Sequence, residues 1–197
     1  MMKALIKEAL AIFFKYLLFA AGISLILSGC GYRMGYGEIS DRYRTVAVPF
    51  AINDATGAFT AELIHTLSAS GAFVYRSCNP DLVLKVIILE YYDENIGFRY
   101  DRNRQGNIKK TLVPSETRRF VKVEVTLIDP RNACAVLGPD ILSASVDFDH
   151  EFNSSRDAVN VFSLGQVTDI DGAIDAAAKP LNARMAQKII DYIANAW

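Results

Sequence analysis

Histidine, cysteine and tryptophan are scarce in this 197-residue chain, numbering two, three and one. That scarcity removes whole classes of chemistry. Neither His65 nor His150 has a cysteine or a second histidine at metal-ligand spacing, so no metal site is expected. No Gly-x-Ser-x-Gly elbow is present. Cys78 and Cys134 have no neighbouring histidine to activate a thiol. Gly31-x-x-x-Gly35 follows no strand and opens no helix, which excludes a phosphate loop. An excess of positive charge is missing as well. The net charge is −1, which is not the balance of a nucleic-acid binder. Asp147, Asp149 and Glu151 alternate along one strand and could serve a cation or a hydrolase. The same spacing describes a wet strand face, and that is the reading preferred here. The expectation is a protein that is not an enzyme and carries no cofactor.

Long hydrophobic runs are lacking too. The longest, Tyr16 to Gly29, has 14 residues, short of the roughly 20 that cross a bilayer core. Lys3, Lys7 and Lys15 precede it, and Leu27-Ser28-Gly29-Cys30 closes it. A basic start, a short apolar run and small residues make a secretory signal. The cysteine after the small residues resembles the lipobox of bacterial lipoproteins. That resemblance implies cleavage before Cys30, which then carries lipid on its sulfur and its amine. Stable anchoring takes more than one acyl chain, because each buried CH₂ contributes only about 0.8 kcal/mol. Residues 1–29 are therefore read as a signal peptide. Three lysines and Glu8 leave with it, so 168 residues remain with 18 basic and 21 acidic side chains, a net charge of −3. An oxidising compartment would permit a disulfide between Cys78 and Cys134.

What remains reads as a glycine-rich tether over 30–43 and one α+β domain over 44–197. Thr45-Val46-Ala47-Val48-Pro49-Phe50 is a short strand that Pro49 ends or confines to an edge. Asn53 to Gly57 supply turn and cap chemistry. Phe59, Leu63 and Leu67 recur at helical spacing, so a helix is predicted over 58–69, with Gly71 as its C-cap. Ala72 to Tyr75 form a second short strand. Leu82 to Leu89 are apolar on both faces apart from Lys85, as in a central strand covered twice. Phe120 to Asp129 alternate, with Val121, Val123, Val125 and Leu127 inward. A strand over 133–150 turns Leu142, Ala144, Val146 and Phe148 inward. Then Asp169 or Asp171 caps a helix with a stripe of Ile170, Ile174, Ala177, Leu181, Met185, Ile189 and Ile193. Pro180 should bend it or start a new helix. The fold expected is α+β: a mostly antiparallel sheet of four to five strands with two helices on one face.

A lipobox cysteine followed by Gly31-Tyr32-Arg33, and then Thr45-Val46-Ala47-Val48-Pro49-Phe50, resembles the opening of the lipopolysaccharide-assembly lipoproteins, the LptE or RlpB family. The order strand, helix, strands, helix over residues 30–195 is similar as well. The resemblance implies a non-catalytic lipoprotein on the inner leaflet of the outer membrane, facing the periplasm. It implies a large β-barrel partner, LptD, whose lumen the lipoprotein fills and whose folding it helps, and it implies contact with lipopolysaccharide. Gly31 is compatible with outer-membrane sorting. The Val-Pro-Phe strand before a helix is also similar to lipid-anchored adaptors with a TolB-N- or curli-secretion-like domain. Those activate cell-wall synthases or build secretion pores.

One segment stands out by charge. Residues 98–119 carry Arg99, Arg102, Arg104, Lys109, Lys110, Arg118 and Arg119 against Asp101 and Glu116, a local charge of +5. Gly97, Gly106, Asn103 and Asn107 mark turns, so a long hairpin loop is predicted here. Clustered guanidinium and ammonium groups suit phosphate or an acidic protein wall. A solvated loop that keeps the chain soluble has the same composition. No family motif aligns there, so these seven positions rest on charge alone.

Overall fold

A computed structural model describes residues 15, 37–102, 105–150 and 170–196. Cys30, the signal peptide apart from Lys15, most of the tether, Arg104, Glu151 and Asp169 lie outside the described residues. The elements are α1 (Glu38–Arg42), β1 (Thr45–Ala47), α2 (Ala58–Ser70), β2 (Val74–Tyr75), β3 (Leu82–Arg102), β4 (Ile108–Asp129), β5 (Cys134–Asp149) and α3 (Ile170–Ala194). The strands form one sheet in the order β2-β1-β3-β4-β5. β1 runs parallel to both β2 and β3, while β3, β4 and β5 pair antiparallel. The sheet is thus mixed, because the β1–α2–β2 crossover imposes parallel pairing at one side. Helices α2 and α3 cover one face. Phe59, Leu63 and Leu67 of α2, with Leu181, Met185, Ile189 and Ile193 of α3, bury against Leu82, Leu84, Val86, Ile88 and Val121 to Leu127.

Helix α2 matches the sequence signals at both ends. Gly57 (φ 74°) and Gly71 (φ 72°) flank it in the left-handed region. Buried Asp54 supports the entry. Its Oδ2 accepts from Thr60 N (2.8 Å) and Thr60 Oγ1 (2.6 Å), and its Oδ1 accepts from Gly57 N (3.1 Å). Thr60 Oγ1 in turn accepts from Ala51 N at 3.1 Å, which ties the strand-to-helix loop to the helix.

Three expectations need correction. Leu82 to Leu89 is central but not covered twice. Leu82, Leu84, Val86 and Ile88 are buried, whereas Lys85 and Leu89 are exposed, because no described element packs on the second face. Of the two expectations at Pro180, a bend or a new helix, the new helix is overturned, since α3 runs through Pro180 as one helix. Pro180 and Ala176 are both exposed, so the Ala176 carbonyl freed by the missing N–H can take water instead. The largest difference is at residues 98–119, which are not a loop. β3 has 21 residues and β4 has 22, with residues 103–107 between them. At about 3.3 Å per residue, β3 is roughly 65 Å long. Cross-strand pairs carry it. Lys122 Nζ donates to Glu90 Oε1 at 2.6 Å, Arg119 lies 3.5 Å from Asp93, and Tyr92 stacks on Phe120 with centroids 4.6 Å apart. Most of its side chains are exposed or half-exposed, with Val113 and Thr117 of β4 buried, so no unbroken period-two apolar pattern is there to read.

α3 descends along β5, since Arg184 and Lys188 donate to the Ser145 and Ser143 carbonyls and Tyr192 meets Asp140. Its C-terminal end therefore lies at the opposite end of the sheet from the ribbon tip. Gly37 is fastened there. Its N–H donates to the Ala194 carbonyl at 2.6 Å, and a Cβ on Gly37 would sit 2.1 Å from the Ala196 oxygen. Only glycine fits that approach. α1 follows directly, within the stretch read as tether.

Candidate functional site

The candidate site is the outer part of the β3–β4 ribbon. Among the described residues β5 pairs with β4 only as far as Glu116, and β3 and β4 go on pairing with each other beyond it. Phe98 pairs with Pro114 and Tyr100 with Leu112, which puts all four on one ribbon face. Phe98, Tyr100 and Leu112 are 57–59% exposed and Ile108, near the turn, 62%. Arg99 pairs with Val113 on the other face. Arg102 pairs with Ile108, and Lys109 and Lys110 follow on β4. Asp101 is the one acid in residues 98–114. The ribbon end thus joins an apolar face to Arg99, Arg102, Lys109 and Lys110 in sequence position, a composition suited to phosphate or carboxylate beside hydrocarbon.

The structure divides the seven predicted cations. Arg99, Arg102, Lys109 and Lys110 sit at the far end, with Arg104 outside the described residues. Arg118 and Arg119 lie nearer the ribbon root and have partners. Arg118 binds Asp147 through two nitrogens, at 2.6 and 2.8 Å. That bond raises the Arg118 pKa and lowers that of Asp147. Arg119 lies beside Asp93, with its guanidinium 5.6 Å from the Tyr91 ring centre. Lys122, held by Glu90 and set over Tyr92, is raised in the same way by its bond to Glu90. Sequence spacing could not separate these groups, because the acids that hold Arg118 and Arg119 come from other strands.

Asp147 is engaged by Arg118, and no group of three or more metal-ligating side chains occurs among the described residues. His65 is exposed beside Glu62. His150 is buried, which its position in the sequence did not reveal. Thr117 Oγ1 donates to Asn95 Oδ1 at 2.9 Å, so the 2.8 Å contact with His150 Nε2 makes that nitrogen the donor. His150 Nδ1 has no hydrogen-bond partner among the described residues. Cys78 and Cys134 are exposed free thiols. The turns that carry them are linked by Arg131 donating to Asp81 at 3.1 Å.

Fold and site together define a small α+β domain that presents a long amphiphilic ribbon. The chain belongs to the LptE lipopolysaccharide-assembly family, whose model matches residues 43–196. Its role lies in lipopolysaccharide assembly, as an envelope lipoprotein. Among solved structures it is similar to rare lipoprotein B from Shewanella oneidensis, at 13% identity and TM-score 0.46, over 76% of this chain and 93% of that one. It is also similar to a minor lipoprotein from Acinetobacter baumannii, at 15% identity and TM-score 0.46, over 77% of this chain and 90% of that one. A third is lipoprotein B from Nitrosomonas europaea, at 12% identity and TM-score 0.46, over 83% and 90%. No curated protein matches the chain.

Proposed function

We propose that this protein is tied by lipid on Cys30 to the periplasmic face of the outer membrane, where it plugs an LptD-type β-barrel and helps it assemble. It works by docking and has no catalytic step. Membership of the lipopolysaccharide-assembly family over residues 43–196 carries this reading. The domain supports it in two ways. Gly37, seven residues after Cys30, is fastened at the end of the sheet away from the ribbon tip, so a membrane tether leaves the ribbon unobstructed. The ribbon tip carries cations and apolar side chains, which suit the phosphates of lipid A or an acidic barrel wall.

Purification from cross-linked membranes tests the partner. A stoichiometric large outer-membrane barrel is expected. A penicillin-binding protein or a ring of this chain alone would instead favour the cell-wall or secretion adaptors. Cys30→Ala should move the protein to the soluble periplasm and abolish palmitate labelling. Arg99→Glu, Arg102→Glu and Arg104→Glu together should weaken binding to lipid A or to the barrel. Unchanged affinity for both would reduce these charges to a solubility role.

A further inference from the structure

The β3 side of the ribbon is an open strand edge. β1 pairs with β3 only at Leu82 and Val83, and Ile52 adds one bridge at Ile87. There Ile52 N–H donates to the Val86 carbonyl and Ile88 N–H to the Ile52 carbonyl, each at 3.0 Å. Beyond Ile88 a bulge at Leu89 shifts the register, and no described element flanks β3 on that side. The direction of its backbone groups follows from the neighbouring strands. His150 N–H donates to the Ser115 carbonyl at 3.1 Å, so Ser115 faces β5. Alternation then turns Thr117, Arg119 and Val121 toward β5, and Arg118, Phe120 and Lys122 toward β3. The register partners of that second set are Glu94, Tyr92 and Glu90. Tyr91, Asp93 and Asn95 are left with N–H and C=O on the open edge, and every residue from Leu89 to Asn95 is exposed.

Natural sheets guard such edges with charge, proline or bulges. β3 contains no proline. Two of its acids are matched within the ribbon, Glu90 by Lys122 and Asp93 by Arg119. Glu94 and the bulges at Leu89 and Ile96 remain, and they limit the open stretch without closing it.

We propose that Tyr91 to Asn95 is a strand-addition site that takes an extended segment of the barrel partner. This rests on the barrel reading above and adds the mode of docking. Donors and acceptors alternating along an extended edge match a polypeptide backbone, and a lipid offers no such series. A second copy of this chain adding antiparallel at the same edge would set Asp93 against its own copy, or Glu90 against Glu94, which disfavours it.

Residue-resolved amide exchange on the mature chain, alone and in its purified complex with the barrel, tests the site. The amides of Tyr91, Asp93 and Asn95 should exchange freely in the isolated chain and slow by about 100-fold in the complex. Those of Glu90, Tyr92 and Glu94 should be slow in both. A complex in which the first three stay fast overturns strand addition and leaves the barrel reading intact. Failure to form any complex overturns both. Protection in the isolated chain that rises with concentration gives the edge to a second copy and overturns the barrel as occupant. Asp93→Pro removes an outward N–H and leaves the β3–β4 backbone ladder in place, so it should weaken the complex by about tenfold or more, whereas Asp93→Ala, which loses the same Arg119 pair but keeps the N–H, should bind like the parent chain. Unchanged affinity of Asp93→Pro would count against the site.

Discussion

The same two strands, β3 and β4, live in two environments. In the helix-covered body, Leu82, Leu84, Val86, Ile88, Val123, Val125 and Leu127 are 0–3% exposed. In the ribbon, Leu89, Tyr91, Phe98 and Tyr100 are 42–59% exposed. Beyond Glu116 β4 has no further β5 register partner among the described residues, and a two-stranded hairpin on its own is marginal in water. The ribbon is extended from a body that supplies the stability, and it is held straight by cross-strand pairs. It spends apolar surface on the solvent, and such surface marks a place for a partner.

Four measurements would break or sharpen this contrast. Leu63→Ala in α2 should cost about 2–5 kcal/mol in denaturant unfolding, because a fully buried leucine leaves a cavity. A loss near zero would deny the body its core. In the ribbon, a double-mutant cycle of Tyr92→Ala and Phe120→Ala should give a coupling of about 0.5–1.5 kcal/mol, the range of an aromatic pair. No coupling would mean the stack does not hold the strands. Acid titration of unfolding offers a third measurement, at Asp81. Hydrogen bonds from Thr45 hold its carboxyl below its ordinary value of 3.8. Its contribution to stability is therefore complete above that value and lost as pH falls through the lower folded value. Asp81→Asn should lack that part of the acid dependence, and an unchanged acid limb would remove Asp81 from the account. Smallest of all, Leu112→Ser at the ribbon tip should change stability by no more than about 0.5 kcal/mol while weakening partner binding. A large loss of stability would show that the tip belongs to the core.

Legibility followed the same division. Where one face is dry, side-chain periodicity reports the element. Val121 to Leu127 and the bounds of α2 were readable for that reason. α3 was readable as a stripe from Leu181 onward, although its first turns bury Ala173 and Ala177 while Ile170 stays exposed. In the ribbon most side chains from Leu89 to Tyr100 are exposed, and polar side chains with glycines look like a loop. The basic cluster was visible as charge, but its division was not. Arg118 is neutralised by Asp147, 29 positions away, and Arg119 by Asp93, 26 positions away.

The sequence by itself determined the α+β class, the inward faces of the body and the concentration of cations in one segment. Each of these is local composition or short-range periodicity. Only the tertiary structure decided that this segment is a two-stranded ribbon, which cations it keeps near the tip, that His150 is buried, and that β3 offers an open edge. These depend on which strands become neighbours, and register between distant residues leaves no mark in local pattern.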